Sequence, residues 1–190
     1  MRNKKVLEIT TIATFSALIF VMANVPWLGY IQIGVVSLTI IHIPVLIGGI
    51  FGGKKVSIAL GLAFGVSSLI IALIRPVLPA DYIFQNPLVS VLPRVLFGYF
   101  LYLIYEIFTK YISNKLLAIS LSFVISTIVH TVLVLIPFYI FFFESKTFTG
   151  IFDFIFLILA SNGILEAILA GVVGAPIAYR LLKYKEVNSQ

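Results

Sequence analysis

The chain has 190 residues, of which 61% are hydrophobic and only 11% charged, where a soluble domain carries about 25% charged and about 45–50% apolar residues. No soluble fold of this length has an interior that could hold such a surplus, so the solvent is lipid, in keeping with a mean hydropathy of +1.16. Most soluble enzymes and nucleic-acid binders are thereby excluded, and the absence of cysteine removes disulfides, thiolate metal sites and a cysteine nucleophile.

An apolar run of about 18–20 residues crosses the roughly 30 Å hydrocarbon layer as a helix. Six such runs follow one another: Val6–Asn24, Ile31–Phe51, Val56–Ile74, Leu88–Thr109, Leu116–Tyr139 and Ile155–Tyr179. They are continuous rather than alternating, which argues against a membrane barrel. The first follows MRNKK but has no small-residue cleavage site and leads into further spans, so it reads as mature protein rather than a signal peptide. The expected fold is all-α: one domain over residues 1–190, an integral membrane bundle of six transmembrane helices.

Loop charge sets the orientation. Arg2, Lys4 and Lys5 precede the first span, Lys54 and Lys55 separate the second and third, Lys110 and Lys115 the fourth and fifth, and Arg180, Lys183 and Lys185 follow the sixth. The other side carries Arg75 and Lys146, offset by Asp81, Glu144 and Asp153. The excess of basic residues places both termini in the cytoplasm. The net charge of +6 is thus a matter of topology and not of nucleic acid. The outer loops, Val25–Tyr30, Arg75–Pro87 and Ile140–Phe154, are longer and richer in aromatic and turn residues than the inner ones, as a lid or binding surface would be.

Several motifs fail on inspection. Gly48–Lys55, GGIFGGKK, approaches phosphate-loop spacing, but Lys55 stands where a Ser or Thr must hold Mg²⁺. It reads instead as a helix end with snorkelling lysines. His42 and His130 lie on different spans without an HExxH motif, so no metal site is expected. No GxSxG elbow is present, and no catalytic residue is assigned.

Three features remain. Small residues recur one turn apart: Ala13 and Ala17, Gly61 and Gly65, then Gly163, Ala167, Gly171 and Ala175. Such stripes let helices approach closely in lipid, either inside the bundle or, for Ala13 and Ala17 near the basic end, against a separate membrane subunit. Next comes an intramembrane polar set. Arg94 lies about 9–10 Å below the start of its span, Asn162 at a similar depth and Glu166 one turn deeper, with His130 and His42 roughly 14–16 Å from their outer ends. Polar groups in lipid face the bundle interior or a watery cavity. They form either a ligand site or interhelical pairs such as Arg94 with Glu166, and His42 before Pro44 reads as an interior histidine. Finally, Trp27, Tyr30, Tyr82 and Phe84 are interfacial belt aromatics or close over a small molecule, and Asn86-Pro87 is a helix-start signal leading into Arg94.

A six-span chain of this size with Ala13-x-x-x-Ala17, Thr39-Ile-Ile-His-Ile-Pro44 followed by Gly48-Gly49, Gly61 through Gly65, Asn86-Pro through Pro93-Arg94, and Asn162-Gly-x-x-Glu166 resembles the substrate-binding S component of an energy-coupling-factor transporter. The resemblance implies a non-enzymatic carrier for a vitamin or vitamin precursor, without a cofactor, in a prokaryotic plasma membrane. It also implies partners: a transmembrane coupling subunit, docked on Ala13 and Ala17, and two ATP-binding subunits. An outward-side pocket would draw on Trp27, Tyr30, Tyr82, Phe84, Asn86, Arg94, His130, Asn162 and Glu166. The Thr39–Pro44 and Asn86–Arg94 stretches look most like pantothenate-type members, and Arg94 suits an anionic ligand. Pyridoxine, hydroxymethylpyrimidine, niacin, riboflavin and a corrinoid stay open as ligands, as does a stand-alone facilitator.

Overall fold

The computed structural model describes residues 4–25, 28–33, 36–76, 79–142 and 148–187. Arg2, Trp27, Glu144 and Lys146 lie outside the described residues. Helix α1 (Lys4–Asn24) leads to an antiparallel hairpin, β1 (Tyr30–Ile33) and β2 (Val36–Thr39), followed by α2 (His42–Gly52) and α3 (Lys54–Ile74). A 3-10 turn (Pro79–Gln85) and a short α4 (Pro87–Ser90) precede α5 (Leu92–Tyr111) and α6 (Lys115–Phe142). The last rod runs from α7 (Phe148–Ile158) through α8 (Ile164–Leu169) to α9 (Ala175–Val187), with π-helical segments at Leu159–Gly163 and Ala170–Gly174.

Five of these rods are long and apolar enough to cross a membrane: Lys4–Asn24, Lys54–Ile74, Pro87–Tyr111, Lys115–Phe142 and Gly150–Val187. They match the expected spans to within a few residues, except that the last helix continues well beyond Tyr179. The second expected span is corrected. Only His42–Gly52 is helical, and residues before it pair as strands, with Tyr30 opposite Thr39 and Ile33 opposite Val36. The expected all-α bundle therefore carries one non-helical element.

Proline and side-chain patterning explain the change. In a helix running on from Ile31, Pro44 would lie in the interior, where it removes a hydrogen bond and its ring strikes the carbonyl of the residue four before it. A helix beginning at His42 puts Pro44 in its first turn, where neither penalty arises. The preceding residues alternate apolar and polar, Val36-Ser37-Leu38-Thr39, and half of them are β-branched, as a pleated strand prefers. The Ile40 amide donates to the Gly29 carbonyl at 3.0 Å and closes the base of the hairpin.

The core runs through Ile19, Ile41, Val45, Leu46, Leu60, Phe64, Phe97, Leu101, Ile119 and Phe123. The outer faces carry large apolar residues such as Ile9, Phe20, Leu62, Phe156 and Val172, as lipid contact requires. Gly53, with φ of +94°, is the single residue between α2 and α3, so the GGIFGGKK segment is a helix end and a tight turn. At this end of the bundle Lys185 donates to the Phe51 carbonyl at 2.8 Å, near the charges of Lys4 and Glu8. Lys115 pairs there with Glu186. The two ends of the described chain thus meet at one pole, with the hairpin and the 3-10 turn at the other.

The glycine stripe of α3 is internal packing. A Cβ on Gly61 would strike the Arg94 carbonyl, one on Gly65 would lie 2.8 Å from the Val91 Cα, and one on Gly98 would strike the Ser57 carbonyl. Ser57 Oγ fastens the crossing by donating to the Gly98 carbonyl at 2.6 Å. In the last rod Gly163, Ala167, Gly171 and Ala175 are likewise buried. Ala13 and Ala17 differ, because both are exposed while Thr11, Ile19, Met22 and Ala23 form the buried face of α1. Forcing a methyl group into the α3–α5 crossing should cost about 1–3 kcal/mol. Gly61→Ala and Gly98→Ala are therefore expected to lower the melting temperature of the detergent-solubilised protein, whereas Leu62→Ala, on the exposed side of α3, should leave it nearly unchanged. Equal melting temperatures for all three would refute the close crossing.

Candidate functional site

Arg94 occupies the third position of α5 and is 7% exposed. Its environment follows from the two prolines upstream. Asn86 caps α4 by accepting from the Leu88 amide at 3.0 Å, with Pro87 at the first helical position. Four residues after Val89 the chain reaches Pro93, which has no N–H to give, so the Val89 carbonyl loses its helical donor. Arg94 Nη1 supplies the missing bond at 2.6 Å. The guanidinium then lies between two rings, 5.6 Å from the Phe64 centroid and 5.2 Å from that of Phe84. A cation over aromatic faces is attracted by their negative quadrupoles, more strongly when desolvated.

The 3-10 turn forms a roof over this arginine. Gln85 Nε2 donates to the Ala72 carbonyl at 3.0 Å and ties the turn to α3, while Phe84 packs on Phe138 of α6 at 5.6 Å between centroids. Phe138 continues the aromatic layer to Phe142 at 5.1 Å and Phe154 at 5.9 Å.

Beneath the arginine lies a pair of histidines. His42, the first residue of α2, and His130 of α6 are 1% and 7% exposed, and their rings stack at 6.2 Å with an interplanar angle of 22°. His130 also packs against Phe97 at 4.7 Å and Phe64 at 5.5 Å, so Phe64 is a neighbour common to His130 and Arg94. Both nitrogens of His42 and Nε2 of His130 are buried without a hydrogen-bond partner among the described residues. The Thr39 backbone lies beside His42, although not in bonding geometry. Among the described residues no group of three His, Cys, Asp or Glu side chains is placed to hold a metal ion.

On the far side, Glu166 Oε1 accepts the Thr39 amide at 2.6 Å and so ties the last rod to the end of the hairpin. Glu166 and Arg94 thus make different bonds, to a strand amide and to a helix carbonyl. Asn162 sits within the Leu159–Gly163 π segment, one turn before Glu166. Such π segments are rare overall and are frequent at functional sites.

Of the residues expected from sequence, Arg94 and His130 come together through Phe64, and Phe84 packs on the other face of Arg94. Glu166 joins them by way of Thr39 and His42. Asn86 serves as a helix cap, and Tyr82 is 60% exposed. Tyr30 opens β1, where the backbone alone is described, and Trp27 lies outside the described residues. Sequence reasoning passed over Phe64, Phe97, Ser126 and Thr127 and read His42 as a satisfied interior group. The spacing of Ser126, Thr127 and His130, which puts all three on one face of a helix, was the available signal.

A family model described as the substrate-specific component of ECF transporters matches residues 7–178. The chain belongs to this family. Two relatives align along nearly their whole length. The pantothenate transporter PanT of Leuconostoc mesenteroides subsp. mesenteroides is 30% identical over 201 residues, covering 98% of this chain and 97% of the relative. The pantothenic acid transporter PanT of Lactococcus lactis subsp. cremoris is 28% identical over 202 residues, covering 96% and 97%. This ECF component is accordingly a multi-pass membrane protein of a transport family, not of an enzyme family. Membership implies a vitamin ligand and an energy-coupling module as partner.

The Glu166–Thr39 bond ties the end of the hairpin to the last rod. A hydrogen bond to a charged group contributes about 1.5–3 kcal/mol, or roughly ten- to hundredfold in local opening. Glu166→Ala should therefore speed hydrogen exchange in peptides covering Thr39 by about that factor, with Glu166→Gln intermediate. Unchanged exchange would show that other contacts hold the hairpin.

Proposed function

We propose that this chain is the pantothenate-binding subunit of an ECF transporter, acting as a single transmembrane substrate-binding domain and catalysing no reaction itself. The observation that carries this reading is the buried Arg94, braced by the Val89 carbonyl and by Phe64 and Phe84. Pantothenate is a carboxylate whose remaining polar groups are an amide and hydroxyls, and a fixed guanidinium in a desolvated aromatic setting is a strong partner for such an anion. The names of the two PanT relatives support the same ligand.

In this reading the lysine-rich pole, with both termini, faces the cytoplasm, and the hairpin and the 3-10 turn face outward over the ligand in the plasma membrane. Tyr30 and Tyr82 belong to that outer rim, while Asn162 and Glu166 approach the site from the last rod. The exposure of Ala13 and Ala17 supports their use as the surface on which the coupling subunit docks, with two ATP-binding subunits beneath it. Small side chains there let a partner helix come close where no hydrophobic effect drives association.

Titration of the purified protein with pantothenate tests the reading. Arg94→Ala should weaken binding by about 2–5 kcal/mol, the range for truncating one partner of a buried charge pair, and Arg94→Lys should restore only part of it, because a point charge lacks the bidentate fork. An affinity untouched by Arg94→Ala would place the ligand elsewhere. For docking, Ala13→Trp or Ala17→Trp should abolish copurification with the coupling subunit while pantothenate affinity stays near wild type. Retention of the complex in both variants would remove this face from the interface.

A further inference from the structure

Helix α6 contains four buried serine and threonine side chains that behave in two ways. Ser122 Oγ donates to the Ala118 carbonyl at 2.7 Å and Thr131 Oγ1 to the Thr127 carbonyl at 3.1 Å. Such a back-bond to the preceding turn is the ordinary resort of a hydroxyl with nothing better to contact. Ser126 and Thr127, between them in sequence, do not take it. Each residue is 0% exposed, and Ser126 Oγ and Thr127 Oγ1 are buried without a partner among the described residues. Three and four residues further on, across the same helical face, stands His130, whose Nε2 is also without one, as are both nitrogens of the stacked His42. Five polar atoms from two helices are thus left without partners among the described residues, three of them within about one turn of α6, inside a bundle immersed in lipid. A buried polar atom left unsatisfied is costly, and most in native structures find a partner. Five together mark a place built for a guest that supplies hydrogen bonds.

The chemistry of the set describes that guest. A hydroxyl both donates and accepts, and a neutral imidazole has one nitrogen of each kind. Such groups suit neutral polar groups that themselves donate and accept, above all alcohol hydroxyls. The fixed positive charge lies instead at Arg94, across Phe64 from His130. We propose that His42, Ser126, Thr127 and His130 form the specificity subsite that reads the uncharged, hydroxyl-bearing end of the ligand, while Arg94 holds its carboxylate. This assignment rests on the pantothenate reading and extends it from the anionic end to the neutral one.

The test compares two ligands on the purified full-length protein: pantothenate, and the N-acyl-β-alanine with the same carbon skeleton but no hydroxyl groups. Wild-type protein should prefer pantothenate by roughly tenfold or more, because a site built to bond a hydroxyl rejects the analogue lacking it. The double variant Ser126→Ala/Thr127→Val and the variant His130→Phe should each erase most of that preference, weakening pantothenate while shifting the analogue less than about threefold. Arg94→Ala should weaken both ligands by a similar factor and leave the preference intact. Melting curves identify a variant that has lost its fold, and the small Ser126/Thr127 replacements decide the matter if His130→Phe does not fold. A preference unchanged in both variants, as expected if these atoms bond only water, overturns the subsite but leaves the pantothenate reading standing. Wild-type protein that binds neither ligand overturns both.

Discussion

Lipid cannot satisfy a backbone carbonyl or a charged side chain, so each polar group brought into this bundle must be answered from within it. The bond from Arg94 to the Val89 carbonyl answers two such demands together. Pro93 leaves a carbonyl without its helical donor, and the next residue in the chain is a guanidinium able to reach back to it. Val89 is fully buried, so the bond forms where water competes little and its electrostatic strength is high. With the arginine fixed this way, the rings of Phe64 and Phe84 have a cation to pack on, and the 3-10 turn acquires its place above α5.

Fixing a polar group by its backbone neighbours works only if the helix carrying it is itself immobile. Here the glycines matter. Gly61 lies against the carbonyl of Arg94, and Gly98 lies against Ser57, so α3 and α5 touch backbone to backbone on either side of the arginine. In lipid the hydrophobic effect does not hold helices together, and contact of this closeness is what remains. The same contact brings Phe64, one turn from Gly61, into reach of both Arg94 and His130. Packing and site are one arrangement: the glycines that allow the crossing also set the distance between the charge and the aromatic floor beneath it.

The last rod and the hairpin contribute differently. Among the described residues a carboxylate-to-amide bond joins Glu166 to Thr39, and the helix that supplies it is interrupted by two π segments. Extra residues in a helical turn rotate the faces that follow, which lets one continuous rod keep small residues against α6 while directing Glu166 towards the strand. Family membership gives this a functional setting, since it implies both a vitamin ligand and an energy-coupling partner. The buried polar groups lie towards the hairpin pole. Ala13 and Ala17 face outward around the middle of α1.

Much of this was legible in the chain. Composition alone required a lipid-solvated bundle, because an apolar surplus of this size has nowhere else to go, and the positions of the long helices followed from unbroken apolar length. The motif order from Ala13 to Glu166 pointed to the right family, and Arg94 stood out because a guanidinium within an apolar span must be accounted for. Other features depended on tertiary contact. An apolar run shows hydrophobicity but not period when strand and helix are both buried, so the hairpin before His42 was hidden within an expected span, although Pro44 marked where the helix had to begin. Whether Glu166 met Arg94 or another group could not follow from depth, since residues at one depth on different helices are placed by helix rotation. The exposure of Ala13 and Ala17 against the burial of Gly61 and Gly65 was undecided for the same reason: identical small-residue spacing serves an internal crossing and an external one. Sequence determined which groups lipid would force inward or leave at the surface; the rotation and crossing of the helices decided which of them would meet.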